Sequence, residues 1–357
     1  MLSRPSPRGR APAVRPAPGQ EEGRSRRSTA AARGGGLLLG VALLAAVILA
    51  GLAIGTKQIP ADQVWSALFH PSGTANDAIV QRLRLPRALI GVAAGAALGL
   101  AGAVMQTLTR NPLADPGLLG VNAGASAAVV TAISVFGMTS FTGYLWFALA
   151  GAAVAATLVN ALGGSRSATP VRLALAGTAV NAALFGYING LQLLDLGTLD
   201  SMRHWSIGTL AGRELGLLVT VLPLLAAGGL LALALARPLG ALALGEEAAR
   251  GLGARPGRTR ALSIVAITLL CGAATAVCGP ISFVGLLVPH AVRPFSGPDP
   301  RWLLPYCALY APVLLLGSDV IGRVVIPPYE IEVGIVTAFI GGLIFINLVR
   351  QRRVARL

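Results

Sequence analysis

Charge is what this chain has least of. Only 12% of its 357 residues are charged, against 54% hydrophobic ones and a mean hydropathy of +0.71, and a water-soluble fold cannot hide that much apolar surface. Lys57 is the single lysine, and no stretch fits G-x-x-x-x-G-K-[ST], so ATP hydrolysis on a P-loop is excluded for this chain. Cysteine is scarce too. Cys271, Cys278 and Cys307 fall in or beside apolar runs without metal-ligand spacing, reading as small packing residues and leaving no basis for a disulfide framework or a zinc site. His70, His204 and His290 are scattered over separate segments, so no metal or catalytic constellation can be drawn from them. No Ser-His-Asp order or intramembrane carboxylate pair points to an enzyme. The glycines of "GLGARPG" at 251–257 lack a preceding strand and form no dinucleotide fingerprint.

What the chain does have is long apolar runs, near 36–54, 87–108, 118–138, 144–162, 172–194, 216–236, 261–279, 302–318 and 333–349. Most approach the roughly 20 residues a helix needs to cross a bilayer. A shorter run, 281–292, is too brief to cross alone unless protein or a cavity surrounds it. The runs are continuous and rich in Leu and Ala rather than alternating, which excludes a membrane barrel. The expected fold is an all-α polytopic membrane bundle of about ten transmembrane helices.

Residues 1–35 are different material, rich in Pro, Gly, Ser and Arg, with eight arginines against Glu21 and Glu22. They read as a disordered basic tail. The "SRRS" at 25–28 faintly resembles a twin-arginine export signal, but many apolar segments follow, so 36–54 is kept as a span. Arginines return in "RQRRVAR" at 350–356, and the positive-inside rule then puts both termini in the cytoplasm, consistent with an even number of spans. The division is a basic tail at 1–35, a ten-helix domain at 36–349 and a basic tail at 350–357. On that topology the loops at 109–117, 163–171, 237–260 and 293–301 are cytoplasmic. The net charge of +15 is explained by topology and anionic headgroups, without nucleic acid.

Several motifs stand out from this background. "GVAAGAALG" places Gly91, Gly95 and Gly99 four residues apart on one helix face, a pattern that lets two backbones approach closely. "RLRLPR" puts Arg82, Arg84 and Arg87 on the outer side, against the positive-inside bias. They read either as arginines snorkelling to headgroups or as a basic patch for an acidic external partner. "LGEEAARGLGARPGRTR" is long for a loop between bundle helices. Glu246, Glu247 and Arg250 suggest a short helix there, either a solvated surface element or a platform for a cytoplasmic protein. Thr178, Asn181, Tyr187, Asn189 and Gln192 bring polar groups into the fifth span, as interhelical hydrogen bonds or as the wall of a watery path. Asp319 and Arg323, one helical turn apart, form an unusual pair read as an intrahelical ion pair. In "RNPLADPGLLGVNAG" at 110–124, Pro112 and Pro116 stop helical continuation while Gly117 and Gly120 permit a tight re-entry.

Taken in order, these motifs resemble one family closely, the FecCD/BtuC-type permease subunits of ABC importers for iron-siderophores, haem and cobalamin. The resemblance runs from about residue 36 to 349. It rests on "RLPR" at 84–87, "GAVMQTLTRNPLADPGLLGVNAGA" at 102–125, "LALAGTAVN" at 173–181, "LALGEEAARGLG" at 242–253, "GPISFVGLLVPHAVR" at 279–293 and "VGIVTAFIGGLIFINLV" at 333–349.

The resemblance implies a transport subunit of the cell membrane with no chemistry or cofactor of its own, ATP being bound by a partner ATPase. The implied partners are cytoplasmic ABC ATPase subunits, an extracytoplasmic substrate-binding protein and a second permease subunit, identical or paralogous. Arg84, Arg87 and Arg323 take the place of outward arginines that dock the binding protein. Gly245, Glu246, Glu247 and Arg250 open the segment that couples to the ATPase. Gln106 with Thr178, Asn181, Tyr187, Asn189 and Gln192 are the pathway-lining candidates, 165–172 lies near the inner gate, and the turn at 110–124 is a structural hinge on the cytoplasmic side. A ferric siderophore is the favoured cargo, with cobalamin or haem as the alternatives. An ion-coupled secondary carrier is the other class, for which Asp319 is the one good mid-span candidate. The chain departs from the family pattern at Ile331 and Glu332 in "YEIEVG", at Gly342 and at Pro294.

Overall fold

The computed structural model describes residues 18–138, 140–163 and 170–352. α1 (Pro18–Ala53) is one continuous helix, after which the chain turns through two short helices, α2 (Ala61–Phe69) and α3 (Ala75–Ala78). Thr74 starts α3 as a capping box: its hydroxyl accepts from the Asp77 N–H and its own N–H donates to the Asp77 carboxylate. A π-helical stretch, Ile79–Arg84, runs directly into α4 (Leu85–Thr109). Then come α5 (Val121–Ser134), α6 (Phe141–Leu162), α7 (Pro170–Leu194), α8 (Leu196–Ile207), α9 (Leu215–Ala234), α10 (Ala236–Ala243) and α11 (Glu246–Gly251). The chain closes with α12 (Pro256–Cys278), α13 (Val284–Ser296), α14 (Pro300–Val324) and α15 (Val333–Arg352).

The all-α expectation holds, and α1, α4, α5, α6, α7, α9, α12, α13, α14 and α15 occupy the ten apolar runs. Among the described residues seven helices are long and apolar enough to cross a membrane. α5 and α13, of 14 and 13 residues, reach only about 20 Å each at 1.5 Å per residue, short of a hydrocarbon core of about 30 Å. For α13 that matches the brevity of its run. For α5 it revises the expected span at 118–138. Gly120 adopts a left-handed conformation at φ 76° and breaks the helix before Val121, and Gly137 turns the chain just after Ser134.

α1 begins at Pro18, inside the stretch expected as a tail, and passes residue 36 without a break. The Gln, Glu, Arg and Ala of that stretch are strong helix formers, and Pro18 takes the first position, where its missing N–H is no loss. Residues 1–17, 353–357 and 164–169 lie outside the described residues, the last removing most of the expected inner-gate segment at 165–172 from view.

α4 is the central post, packing on α14, α12, α13 and α9. The glycine face explains how. A Cβ at Gly95 would lie 2.6 Å from the backbone of Pro312, and one at Gly99 would lie 2.5 Å from the carbonyl of Cys307, so α14 sits where no side chain fits. Farther along, Gly102 meets the backbone of Gly285, bringing α13 against the same helix. Ala94, Ala97, Ala101 and Val104 fill the remaining space and are buried.

Candidate functional site

At the end of the bundle near the α1–α2 connection, five charged side chains meet. Arg87 donates through Nε and Nη2 to Asp319 at 2.7–3.1 Å and through Nη1 to Glu330 at 2.7 Å. Asp319 is fully buried and also pairs with Arg323. Arg323 Nη1 donates to the Gly51 carbonyl at 2.8 Å, while Arg84 donates to the carbonyls of Leu52, at 2.7 Å, and Lys57. Gly51 and Leu52 belong to the last turn of α1, whose carbonyls have no partner within the helix. Two guanidiniums therefore cap its negative end.

This arrangement corrects the expectation of three outward arginines. Arg84, Arg87 and Arg323 are 6%, 9% and 3% exposed; Arg87 and Arg323 are compensated by Asp319, whereas Arg84 is held by backbone carbonyls alone. The intrahelical Asp319–Arg323 pair is made, but it is half of a larger network. Arg87 alone of the three lines a cavity of about 240 Å³, shared with Thr209, Gly212, Glu330 and Glu332. The exposed arginine of the "RLRLPR" motif is Arg82. In "YEIEVG", Glu330, the acidic residue ahead of the departure at Ile331 and Glu332, supplies the second carboxylate to Arg87, and the Ile331 backbone N–H donates to the Gly322 carbonyl at 2.9 Å, folding the loop back on α14.

The polar residues of α7 divide. Asn181 donates to the Gly117 carbonyl at 3.1 Å, and Gly177 lets α7 rest on the Leu118 carbonyl, so this part of the helix is tied to the hinge. Tyr187 shares a hydrogen bond with Thr131 of α5 at 2.8 Å. Thr178 and Asn189 lie on an exposed face, together with Leu175, Phe185 and Leu193, and Gln192 is half-buried. A membrane helix that turns Asn189 outward needs a wet or protein neighbour there.

Gln106 does not join that surface. It is buried between α4 and α13, where Nε2 donates to the Leu286 carbonyl at 3.0 Å and Oε1 accepts from Arg293 at 3.1 Å. Pro289 removes the N–H that would have bonded the Gly285 carbonyl, and Gln106 Nε2, which also lies 3.5 Å from that carbonyl, supplies a donor there. Gln106→Leu is expected to lower stability by about 1–3 kcal/mol, the cost of leaving buried carbonyls unsatisfied, seen as a lower unfolding midpoint of the purified chain in detergent.

On the hinge, Arg110 takes a left-handed conformation at φ 51°, and the Asp115 carboxylate accepts from Gly117 N–H at 2.7 Å to start a 3₁₀ turn, Pro116–Leu119. Of the two glycines expected to allow re-entry, only Gly120 uses a positive φ.

The segment opened by Gly245 forms α11 as expected, with Gly245 at φ 109°. Glu246 turns inward, bonding Arg250 at 3.4 Å and pairing with Arg260 of α12, so it fastens α11 to the bundle. Glu247 and Arg250 are exposed, and Leu244 and Leu252 project at either end. Those leucines escaped sequence reading; the signal was two apolar residues flanking a charged turn. Asn122 was missed as well, although its side chain joins Thr275 across α5 and α12 at 2.9 Å.

A bundle of apolar helices that carries exposed polar side chains on one of them and a short surface helix between two spans has the design of a membrane transport subunit. The chain belongs to the FecCD transport family, whose model matches residues 43–351. It is 48% identical over 320 residues to the ferric enterobactin transport system permease protein FepD of Escherichia coli, covering 89% of this chain and 94% of that one. It is 36% identical over 330 residues to the hemin transport system permease protein HmuU of Yersinia pestis, covering 90% and 97%. Among solved structures, an inward-facing conformation of a metal-chelate type ABC transporter matches with a TM-score of 0.78 at 27% identity, over 89% of this chain and 99% of that one.

Proposed function

We propose that this chain is the membrane-embedded permease subunit of an ABC importer for a ferric siderophore, driven by ATP hydrolysis on a separate subunit. The observation that carries the reading is the 48% identity, over nearly the whole chain, to a ferric enterobactin permease. Two permease subunits enclose a central pathway, with the exposed face of α7 turned toward it, which gives Thr178 and Asn189 the wet neighbour their position calls for. Both termini lie in the cytoplasm. On that side α11 seats against the ATPase through Leu244, Glu247, Arg250 and Leu252, and Glu246 transmits its movement to α12 through Arg260. On the outer side the cavity floored by Arg87 and rimmed by Glu330 and Glu332 belongs to the surface that receives the binding protein, while Arg84 and Arg323 hold α1 in place around it. Transport proceeds by alternating access: closure of the ATPase subunits moves α11, and the pathway helices exchange the open side.

The experiment is co-purification and transport. The tagged chain is expected to retain an ABC ATPase from its native membrane, and the assembly in proteoliposomes to move ferric enterobactin only with ATP and binding protein. An isolated chain that transports down an ion gradient overturns the reading. In the same assay, replacing Glu246 and Glu247 together with Ala is expected to cut uptake at least tenfold while ATP hydrolysis continues, an uncoupling of about 1.4 kcal/mol or more. Full uptake by that double variant removes the coupling role.

A further inference from the structure

α2 carries an apolar surface that the bundle covers only in part. At about 100° per residue, Ala67, Val64 and Leu68 lie side by side, Ala61, Trp65 and Phe69 follow, and Asp62, Ser66 and Gln63 complete the circle. The first group packs into a small core with Leu52, Ile59 and Val80. The third is polar, and Gln63 accepts from Asn76 of α3 at 2.7 Å. The middle group is left bare: Trp65 and Phe69 are 63% and 57% exposed, with ring centroids 4.4 Å apart. A helix with one side on protein, one on water and an aromatic strip between has the form of an element lying at a membrane boundary.

Two features identify the occupant of that strip. The first is level. The membrane-span segment of α1, Arg33–Ala53, which holds the apolar run near 36–54, is 21 residues, about 30 Å or one hydrocarbon thickness. Its first residue marks one boundary, because the Arg33 guanidinium lies over Trp302 at 5.6 Å and the Tyr306 hydroxyl donates to the Arg33 carbonyl at 2.6 Å, an aromatic and basic belt. Its last residue marks the other, and there the Ile59 N–H donates to the Ala53 carbonyl at 3.0 Å, folding the start of α2 onto the end of α1. The second feature is continuity. Leu49 of α1 and Leu83 of the adjoining π-helical stretch are exposed apolar residues on elements that pack against α2, and exposed Arg82 provides a cation beside them.

We propose that α2 is an interfacial anchor. Trp65 and Phe69 seat in the headgroup–hydrocarbon boundary of the leaflet opposite the Arg33 belt, with Arg82 reaching the lipid phosphates. The anchor fixes the height of the connection from which Arg84 and Arg87 hang. The inference rests on α1 spanning a bilayer and is independent of the cargo.

The test uses nitroxide labels on the full chain in phosphatidylcholine–phosphatidylglycerol vesicles. The native cysteines are buried and leave the label to introduced sites. Trp65→Cys and Phe69→Cys each keep the other ring, Asp62→Cys samples the polar arc, and Leu43→Cys reports whether α1 is in hydrocarbon at all. Expected is a severalfold higher ratio of oxygen to nickel-chelate accessibility at 65 and 69 than at 62. Nickel chelate reaching 65 and 69 as readily as 62 overturns the anchor in favour of a face open to a soluble partner. Protection of 65 and 69 from both colliders overturns it in favour of a protein contact such as a second copy. A water-exposed label at Leu43→Cys contradicts the spanning reading itself.

Discussion

Replacing Asp319 with Asn is expected to destabilise the chain by about 3–5 kcal/mol, the cost of leaving a buried charge uncompensated. Asp319 is fully buried and receives both Arg87 and Arg323. The neutral amide cannot balance either guanidinium, and its NH₂ group would point a donor at donors. The consequence spreads, because Arg323 is also the group that caps the Gly51 carbonyl of α1 and Glu330 is tied to the same Arg87. A sharply lower unfolding midpoint and poor recovery from the membrane are the expected results. Asp319→Glu, which keeps the charge at the cost of one methylene in a packed site, is expected to lose less. An unchanged midpoint for Asp319→Asn would mean that the network contributes no net stability.

The second large effect is expected at Gly102. Its would-be Cβ overlaps the backbone carbonyl of Gly285, and a backbone atom cannot rotate away as a side chain can. Gly102→Ala therefore has to push α13 off α4, at the upper end of the roughly 1–3 kcal/mol that overpacking costs, and the displacement also stretches the Gln106–Leu286 hydrogen bond. Gly186 and Gly190 on α7 provide the contrast. Nothing stands within 4 Å of a Cβ at either position, so alanine there is expected to leave the unfolding midpoint unchanged or raise it slightly, since alanine is the better helix former. Equal midpoints for all three alanine variants would contradict the close α4–α13 packing.

These two sites also show what can be read from a chain of this kind and what cannot. The helices were legible because hydrophobic length is a local property, and the Gly91–Gly95–Gly99 stripe announced a tight helix contact for the same reason. The hinge was legible from its Asn-Pro and Asp-Pro pairs. The fate of the arginines expected on the outer side was not. Arg87 finds Asp319 and Glu330 at separations of 232 and 243 residues, and no local pattern says that charges so far apart neutralise each other inside the protein. A hint was present: carboxylates and guanidiniums at the ends of apolar spans, in comparable number, call for internal pairing before any external partner. Gln106 was expected among the pathway-lining residues, and the structure buries it between α4 and α13 instead. Pro289 of α13, which leaves the Gly285 carbonyl without its helical donor, was the signal that a side chain of a neighbouring helix is needed there.

The cargo is tested most directly by uptake. Cells lacking the gene, and the same cells with it restored, are given radiolabelled ferric enterobactin, with cobalamin and haemin in parallel. Loss of ferric enterobactin uptake on deletion and its return on restoration, with the other two unchanged, is the expected result. Loss of cobalamin or haemin uptake with ferric siderophore uptake intact would contradict it.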